Sequence, residues 1–180
     1  MPPELIRVLC VEDNQLVADA IARKLEGDAR FEWLGWVQTA QGLAESVGKT
    51  PPDVVCMDID IPGEDAFAMV RSLTETCPKA RVLMLTGHVR EDLIDRALTA
   101  GAWGYLSKGE ESRVIVDGIC RVASGEFVLG TIARDRFHGQ VPPCPVTPHP
   151  DSGLSSDDGR NGWGPVHVIR RVIRKLTPPR

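Results

Sequence analysis

Acidic residues end two separate apolar segments of the chain. Asp58 follows the apolar run 54–57, and the pair Glu12-Asp13 follows the apolar run 5–11. The carboxyl ends of parallel strands lie at one edge of a sheet, so these three carboxylates are expected to meet there. Clustered carboxylates repel one another unless a cation neutralises them, and ligands that are all oxygen favour Mg²⁺. The spacing therefore predicts a magnesium site at this edge.

Two more polar residues end apolar segments further along the chain. Thr86 closes the run 82–85, and Lys108 closes the run 103–107. An Asp beside a bound cation can attack phosphorus, and Lys108 and Thr86 can supply the positive charge and the hydrogen-bond donor that the developing charge needs. An acid at a strand end can also be merely a turn residue or a helix N-cap. Taken together, the four strand ends predict phosphoryl transfer centred on Asp58.

Hydrophobic periodicity predicts five strands that alternate with five helices. The alternation is typical of an α/β fold with a five-stranded parallel sheet, doubly wound, with helices on both faces. Functional sites of such sheets form at the carboxyl ends of the strands, where all the marked residues lie. The predicted strands are 5–11, 31–37, 54–58, 81–86 and 103–107, and the predicted helices are 16–25, 40–47, 67–73, 91–100 and 110–124.

Composition excludes several classes of protein. The 180 residues are 42% hydrophobic and 26% charged, the balance of a soluble globular protein. No apolar run reaches the roughly 18–20 residues of a membrane span, and the N-terminus lacks the pattern of a signal peptide. The five cysteines form no Cys-x-x-Cys pair, which argues against a zinc knuckle. We therefore expect a cytoplasmic protein without a membrane span.

Charge and composition both change after residue 130. Residues 131–180 carry 8 Lys/Arg and 4 Asp/Glu, so their net charge is +4, and the remainder of a chain whose net charge is −4 carries −8. An acidic body suits a divalent cation better than nucleic acid. Residues 138–164 are rich in Pro, Gly and Ser, and 166–176 have the pattern of a short basic amphipathic helix. We predict a domain at 1–130 and a linker with a basic tail at 131–180.

The motifs at the strand ends, in their order, resemble the receiver domain of bacterial two-component response regulators. The resemblance covers residues 1–130 and implies a flavodoxin-like fold. It also implies a phosphorelay signalling domain, not an enzyme, in which Asp58 accepts a phosphoryl group from a sensor histidine kinase or a phosphotransfer protein. The matching segments are 11–14 (Val-Glu-Asp-Asn), 57–63 (Met-Asp-Ile-Asp-Ile-Pro-Gly), 85–87 (Leu-Thr-Gly) and 101–108 (Gly-Ala-Trp-Gly-Tyr-Leu-Ser-Lys).

The resemblance also assigns roles to individual residues. Mg²⁺ would be held by the carboxylates of Glu12, Asp13 and Asp58 and by the main-chain carbonyl of Asp60. The other assigned residues act on the phosphoryl group or report it: Lys108 would pair with the phosphoryl oxygens, Thr86 would move to bind one of them, and Tyr105 would swing inward as the second switch residue. The change would be read on the face built by the fourth helix, the fifth strand and the fifth helix, through which a homodimer is also expected.

The segments 101–110 and 125–128 look like the NarL/LuxR-type subfamily, whose DNA-binding helix-turn-helix commonly opens with Leu-Thr-Pro-Arg. This sequence ends in Leu176-Thr177-Pro178-Pro179-Arg180. We therefore interpret the chain as derived from a transcriptional regulator whose DNA-binding module was lost, truncated or frameshifted. Sequence-specific DNA binding is not expected from this chain alone. The sequence leaves the role of the basic tail open. It could contact DNA phosphates, an acidic partner or a membrane surface, or it could be a solvated appendage.

Two other functions fit parts of the pattern. Asp58-Ile59-Asp60 resembles the Asp-x-Asp motif of haloacid-dehalogenase-like phosphohydrolases, with Asp58 as nucleophile and Asp60 as acid/base. Against it, the pair Glu12-Asp13 precedes the nucleophile strand and no acidic pair follows Lys108 at a further strand end. The third reading is a degenerate receiver that only docks partners, and the complete set of site residues argues against it.

Overall fold

The structure, a computed structural model, describes residues 5–139. All five predicted strands and five predicted helices form, with ends that differ from the prediction by a few residues. The strands are β1 (Ile6–Val11), β2 (Phe31–Val37), β3 (Val54–Met57), β4 (Arg81–Thr86), β5 (Gly104–Ser107) and β6 (Val128–Leu129). The helices are α1 (Gln15–Leu25), α2 (Ala40–Lys49), α3 (Ala66–Thr76), α4 (Glu91–Ala100), α5 (Ser112–Ala123) and α6 (Thr131–Arg136).

The strands form one parallel sheet in the order β2-β1-β3-β4-β5-β6. The direction of the strand order reverses at β1, because β2 lies on one side of it and β3 on the other. A crevice at the carboxyl ends of the strands is expected beside such a reversal. The fold therefore places the ends of β1 and β3 next to each other, which confirms the predicted doubly wound α/β class.

Alternating side chains of the strands fill two separate cores, one on each face of the sheet. On one face Leu9, Val55 and Met84 pack with buried residues of α2, α3 and α4. On the other face the next residue of each of these strands, Cys10, Cys56 and Leu85, packs with α1 and α5. Because both faces are covered, the central strands carry continuous apolar runs.

Local sequence signals set the helix ends that border the site. Asn14 caps α1, its Oδ1 accepting a hydrogen bond from the Leu16 N–H at 3.0 Å. Asp65 caps α3 in the same way through the Phe67 and Ala68 N–H groups. At the opposite edge of the sheet, away from the site, α4 stops at Gly101, whose φ of 103° lies in the left-handed region that favours glycine.

The sheet has a sixth strand that the sequence pattern does not predict. Val128 and Leu129 of β6 pair with Gly104 and Tyr105 along the outer edge of β5. Helix α6 follows directly, with Ala133 fully buried, although the sequence places its residues in the linker. The described residues all belong to one compact unit that extends to Gly139. The predicted linker and basic tail beyond that point lie outside the described residues.

The pairing of β6 also changes the surface on which a switch can be read. The predicted face uses α4, β5 and α5, but the outer edge of β5 is occupied by β6 at Gly104 and Tyr105. Helix α6 packs against both β5 and α4. Within residues 5–139, no helix has the length and apolar character required to cross a membrane.

Candidate functional site

Three carboxylates meet where β1 and β3 end. The main chain brings them together, since the Asp58 N–H donates to the Val11 carbonyl at 2.9 Å. One carboxylate oxygen from each of Glu12, Asp13 and Asp58 lies within 4.8 Å of the others. Glu12 and Asp58 are buried, at 1% and 5% exposure, whereas Asp13 is exposed. The predicted acidic cluster therefore exists, and two of its carboxylates are buried while the third is open to solvent.

The side chain of Lys108 enters this cluster from the end of β5. Its Nζ lies 2.7 Å from Asp58 Oδ2 and 2.6 Å from Glu12 Oε2. The backbone holds it there, because the Lys108 N–H donates to the Thr86 carbonyl at 2.9 Å. One ammonium group thus bridges the two buried carboxylates, which would otherwise repel each other.

Burial and ion pairing have opposite effects on the pKa of Glu12 and on the pKa of Lys108, and the net result in both cases is a raised pKa. Burial raises the pKa of Glu12 above its ordinary value, and the hydrogen bond from Lys108 offsets only part of that. Burial by itself would lower the pKa of Lys108, but its hydrogen bonds to Asp58 and Glu12 outweigh that and raise the pKa. The ammonium therefore stays charged across the neutral range, and the charge it contributes is lost only as the pH rises through this elevated pKa.

Asp58 itself is held in one orientation. Its Oδ1 accepts a 2.7 Å hydrogen bond from the Ile59 N–H, while Oδ2 faces Lys108. A carboxylate oriented by two donors and beside a positive charge is suited to attack an electrophilic phosphorus atom, because its position is fixed before the substrate arrives. Glu12 and Asp13 offer further oxygen atoms that could hold a cation.

Thr86 and Tyr105, the two predicted switch residues, both bind His88. The Thr86 hydroxyl accepts a hydrogen bond from the His88 N–H at 3.1 Å, and the Tyr105 hydroxyl donates to the His88 carbonyl at 2.6 Å. Both side chains have no exposed surface. Burial raises the pKa of Tyr105, so its hydroxyl remains a donor. The structure therefore joins the two residues through the main chain of one loop residue.

The side chain of Asp60 lies apart from the carboxylate cluster. Its Oδ2 is 3.2 Å from His88 Nε2, and both side chains are more than half exposed. In the receiver prediction Asp60 contributes only its main-chain carbonyl, and the position of the side chain is compatible with that. The contact to His88 also ties the loop after β3 to the loop after β4. No motif signals this contact, because it depends on how the two loops fold.

A shallow apolar cleft adjoins the cluster. Its volume is about 290 Å³, and it is lined by Leu16, Val17 and Ala20 of α1, by Ile115 of α5 and by Lys108. Leu16 is 75% exposed, which is unusual for so large an apolar side chain beside a polar site. A partner that reaches Asp58 past Asp13 would therefore meet an apolar surface at the start of α1.

Known proteins share both the sequence pattern and the fold. The family model of the response regulator receiver domain matches residues 8–119. Response regulator UvrY of Escherichia coli is 31% identical over 140 residues, which are 77% of this chain and 64% of that protein. The nitrate/nitrite response regulator protein homolog of Haemophilus influenzae is 30% identical over 173 residues, 96% of this chain and 77% of that protein.

A solved structure of a receiver domain has a similar fold. The signal receiver domain of the putative response regulator NarL from Mycobacterium tuberculosis is 26% identical, with a TM-score of 0.65 over 69% of this chain and 100% of that one. This chain spans less than two thirds of the length of UvrY. The carboxylates of Glu12, Asp13 and Asp58 lie together at the strand ends, the ammonium of Lys108 contacts two of them, and Thr86 ends the neighbouring strand β4. The chain belongs to the response regulator receiver domain family, and its relatives are regulators of the NarL/LuxR type.

Proposed function

We propose that this chain is a phosphorelay switch in which Asp58 accepts a phosphoryl group from a sensor histidine kinase or a phosphotransfer protein. The observation that carries the proposal is the position of Asp58: its carboxylate is buried, oriented by the Ile59 N–H, and lies between the acidic cluster and the ammonium of Lys108. The family membership supports the same role.

Asp58 is the nucleophile of the proposed reaction. One of its carboxylate oxygens attacks the phosphorus of a phosphoimidazole, a P–O bond forms, the P–N bond breaks, and the imidazole leaves with the electron pair and takes up a proton. Lys108 neutralises the phosphoryl oxygens as charge builds on them. The Thr86 hydroxyl turns from His88 and donates a hydrogen bond to one of those oxygens.

The donor set fits Mg²⁺, because all the ligands available are oxygens and three of them lie within 4.8 Å of one another. Glu12, Asp13 and Asp58 would hold the ion together with the main-chain carbonyl of Asp60. When bound, the ion would offset the charge of the phosphoryl oxygens. The raised pKa of Glu12 is consistent with a buried carboxylate that lacks full compensation of its charge.

The kinase or phosphotransfer partner is proposed to approach along the apolar cleft beside Asp58. Leu16 and Val17 at the start of α1 and Ile115 of α5 offer an apolar surface to a helix that carries the phosphohistidine. A homodimer through the face of α4, β5 and α5 remains a prediction, and in this chain a partner on that face would also meet β6 and α6. The assignment of 1–130 as receiver and 131–180 as linker and tail likewise remains a prediction.

A phosphohydrolase is the competing function, and turnover separates the two. We expect the full chain, given Mg²⁺ and acetyl phosphate, to take up at most one phosphoryl group per molecule. A generic phosphomonoester should show no sustained hydrolysis, because Asp60, the acid/base required by a phosphohydrolase, is turned toward His88. Sustained hydrolysis of the phosphomonoester over many turnovers would overturn the proposal, and a chain that takes up no phosphoryl group at all would favour the docking-only receiver.

A further inference from the structure

We propose that α6, with Phe137 and His138, is a clasp that holds the two loops beside Asp58 together and opens when Asp58 is phosphorylated. The two loops are 87–90, between β4 and α4, and 108–111, between β5 and α5. The inference rests on the proposed function, since it assumes that Asp58 becomes phosphorylated. It assigns a role to the element that follows the predicted receiver boundary.

The first turn of α6 is fastened to the loop that carries Lys108. The Ile132 N–H donates to Glu110 Oε1 at 3.0 Å, and Glu110 lies two residues after Lys108. Gly130 allows this close approach, since a Cβ there would lie 2.5 Å from Glu110 Oε1 and 2.8 Å from Leu106 Cδ2. Any movement of Lys108 toward a phosphoryl group would therefore act on this end of α6.

The other end of the clasp is fastened to the loop that carries His88 and to the first residue of α4. Arg136 Nη1 donates to the Val89 carbonyl at 3.0 Å, and the His138 N–H donates to Glu91 Oε1 at 3.2 Å. These partners are 47 residues apart in the sequence, so the contacts do not arise from local chain geometry. Between the two ends, Ala133 is fully buried in the same core as Tyr105.

The clasp and the two switch residues contact neighbouring residues of one loop, Val89 and His88. His88 precedes Val89, and its main chain is bound on one side by the Thr86 hydroxyl and on the other by the Tyr105 hydroxyl. If Thr86 turns to a phosphoryl oxygen, the His88 N–H loses its acceptor and the loop is free to shift. The Val89 carbonyl then moves relative to Arg136, and the bond that closes the clasp is weakened.

Phosphorylation would also act on the first turn of α6. The modification adds about −1.5 to −2 charge beside Lys108. The ammonium would be drawn from Glu12 toward the phosphoryl oxygens, and Gly109 and Glu110 follow it in the chain. Both fastenings of α6 therefore weaken in the same event, which makes the clasp a two-state element of the kind that a switch requires.

Linkage provides a second observable. If the closed clasp favours the unphosphorylated loops, then opening it by mutation must favour the phosphorylated ones. Arg136→Ala removes the bond to Val89 without touching the carboxylate cluster. We expect this variant to bind beryllofluoride, an analogue of the phosphoryl group, about fivefold more tightly, the lower end of typical coupling. Arg134→Ala is the matched control, because Arg134 donates to the carbonyl of Leu129 in β6, which lies in neither of the two loops.

The test is hydrogen–deuterium exchange of the full chain with Mg²⁺, with and without beryllofluoride. We expect the amides of 132–137 to exchange about fivefold faster when beryllofluoride is bound. Arg136→Ala should already exchange faster without it and respond little further, whereas Arg134→Ala should respond like the unmodified chain. Glu110→Ala tests the bond at the first turn of α6 by the same exchange measurement, and Glu111→Ala, at the neighbouring residue, is its control.

The outcomes separate this inference from the function on which it rests. If beryllofluoride protects the loops 87–90 and 108–111 but leaves 132–137 unchanged, the clasp is wrong and the phosphoryl site stands. Equal beryllofluoride affinity in Arg136→Ala and Arg134→Ala would also overturn the clasp. If beryllofluoride changes exchange nowhere and acetyl phosphate leaves no label on Asp58, the inference falls together with the proposed function.

Discussion

Lys108 occupies the position in which a cation is needed. Its ammonium contacts both buried carboxylates, at 2.6 and 2.7 Å. This positive charge compensates the carboxylates of Glu12 and Asp58, and a metal ion bound there would compete with it for the same oxygens. The residue therefore affects both cation affinity and the proposed stabilisation of the phosphoryl group.

The competition can be measured with a lysine variant. Lys108→Ala leaves two buried carboxylates without their ion pair, so we expect Mg²⁺ to bind about tenfold or more tightly, a gain of about 1.4 kcal/mol. Lys24→Ala is the control, because the ammonium of Lys24 bonds to Ser112 at the exposed surface. Calorimetric titration with Mg²⁺ checks the difference. Weaker binding in Lys108→Ala than in Lys24→Ala would contradict the assignment of these oxygens as ligands.

At the residue scale, the sequence predicts identities better than contacts. Glu12, Asp58 and Lys108 are predictable because each directly follows an apolar run, and strand ends in a parallel sheet converge. The role of His88 as the shared partner of Thr86, Tyr105 and Asp60 is not predictable in this way. It depends on the path of one loop, and main-chain contacts to a loop carry no residue signature.

At the scale of elements, β5 is packed closely against both of its neighbouring strands. Gly104 begins the strand, and a Cβ at this position would lie 2.7 Å from Leu83 Cδ1 and 2.9 Å from the Val128 carbonyl. The second neighbour is backbone of β6, which cannot rotate away. The small residue is therefore required for β6 to pair with β5.

A substitution tests this requirement. Gly104→Ala should lower the free energy of unfolding by about 1–3 kcal/mol, because the added methyl group forces the strands apart. Gly48→Ala is the matched control: Gly48 lies in α2 with no atom within 4 Å of an added Cβ, and we expect stability to rise by up to about 1 kcal/mol. Urea unfolding of both variants gives the comparison. Equal stabilities would show that the contact to Val128 does not constrain the sheet.

The elements that the sequence does not predict are those too short to show a hydrophobic periodicity. Strand β6 has two residues and α6 has six, too few for an alternation or a helical repeat to emerge. Strand β6 is held by its pairing with Gly104 and Tyr105. Helix α6 is held by contacts to Glu110 and Val89, which are 22 and 47 residues away from their partners in the sequence. Hydrophobic periodicity carries no information about such contacts, whereas it does predict the longer amphipathic helices and the buried strands.

At the scale of the whole molecule, the fold concentrates chemistry at one edge and regulation beside it. The strand order reverses at β1, which places Glu12 and Asp13 next to Asp58. Strands β4 and β5 end at the same edge of the sheet. The loops after β4 and β5 lead to α4 and α5, and α6 spans both loops. In the proposed mechanism, a change of charge at Asp58 would reach the surface through these two short loops.

The most direct measurement of the central claim is where a phosphoryl group attaches. The full chain and the variants Asp58→Asn and Asp60→Asn are incubated with labelled acetyl phosphate and Mg²⁺, and the label is quantified and mapped. We predict that the unmodified chain and Asp60→Asn carry the label on Asp58 and that Asp58→Asn carries none. Label that persists in Asp58→Asn, or that maps to another residue in the unmodified chain, would contradict the account.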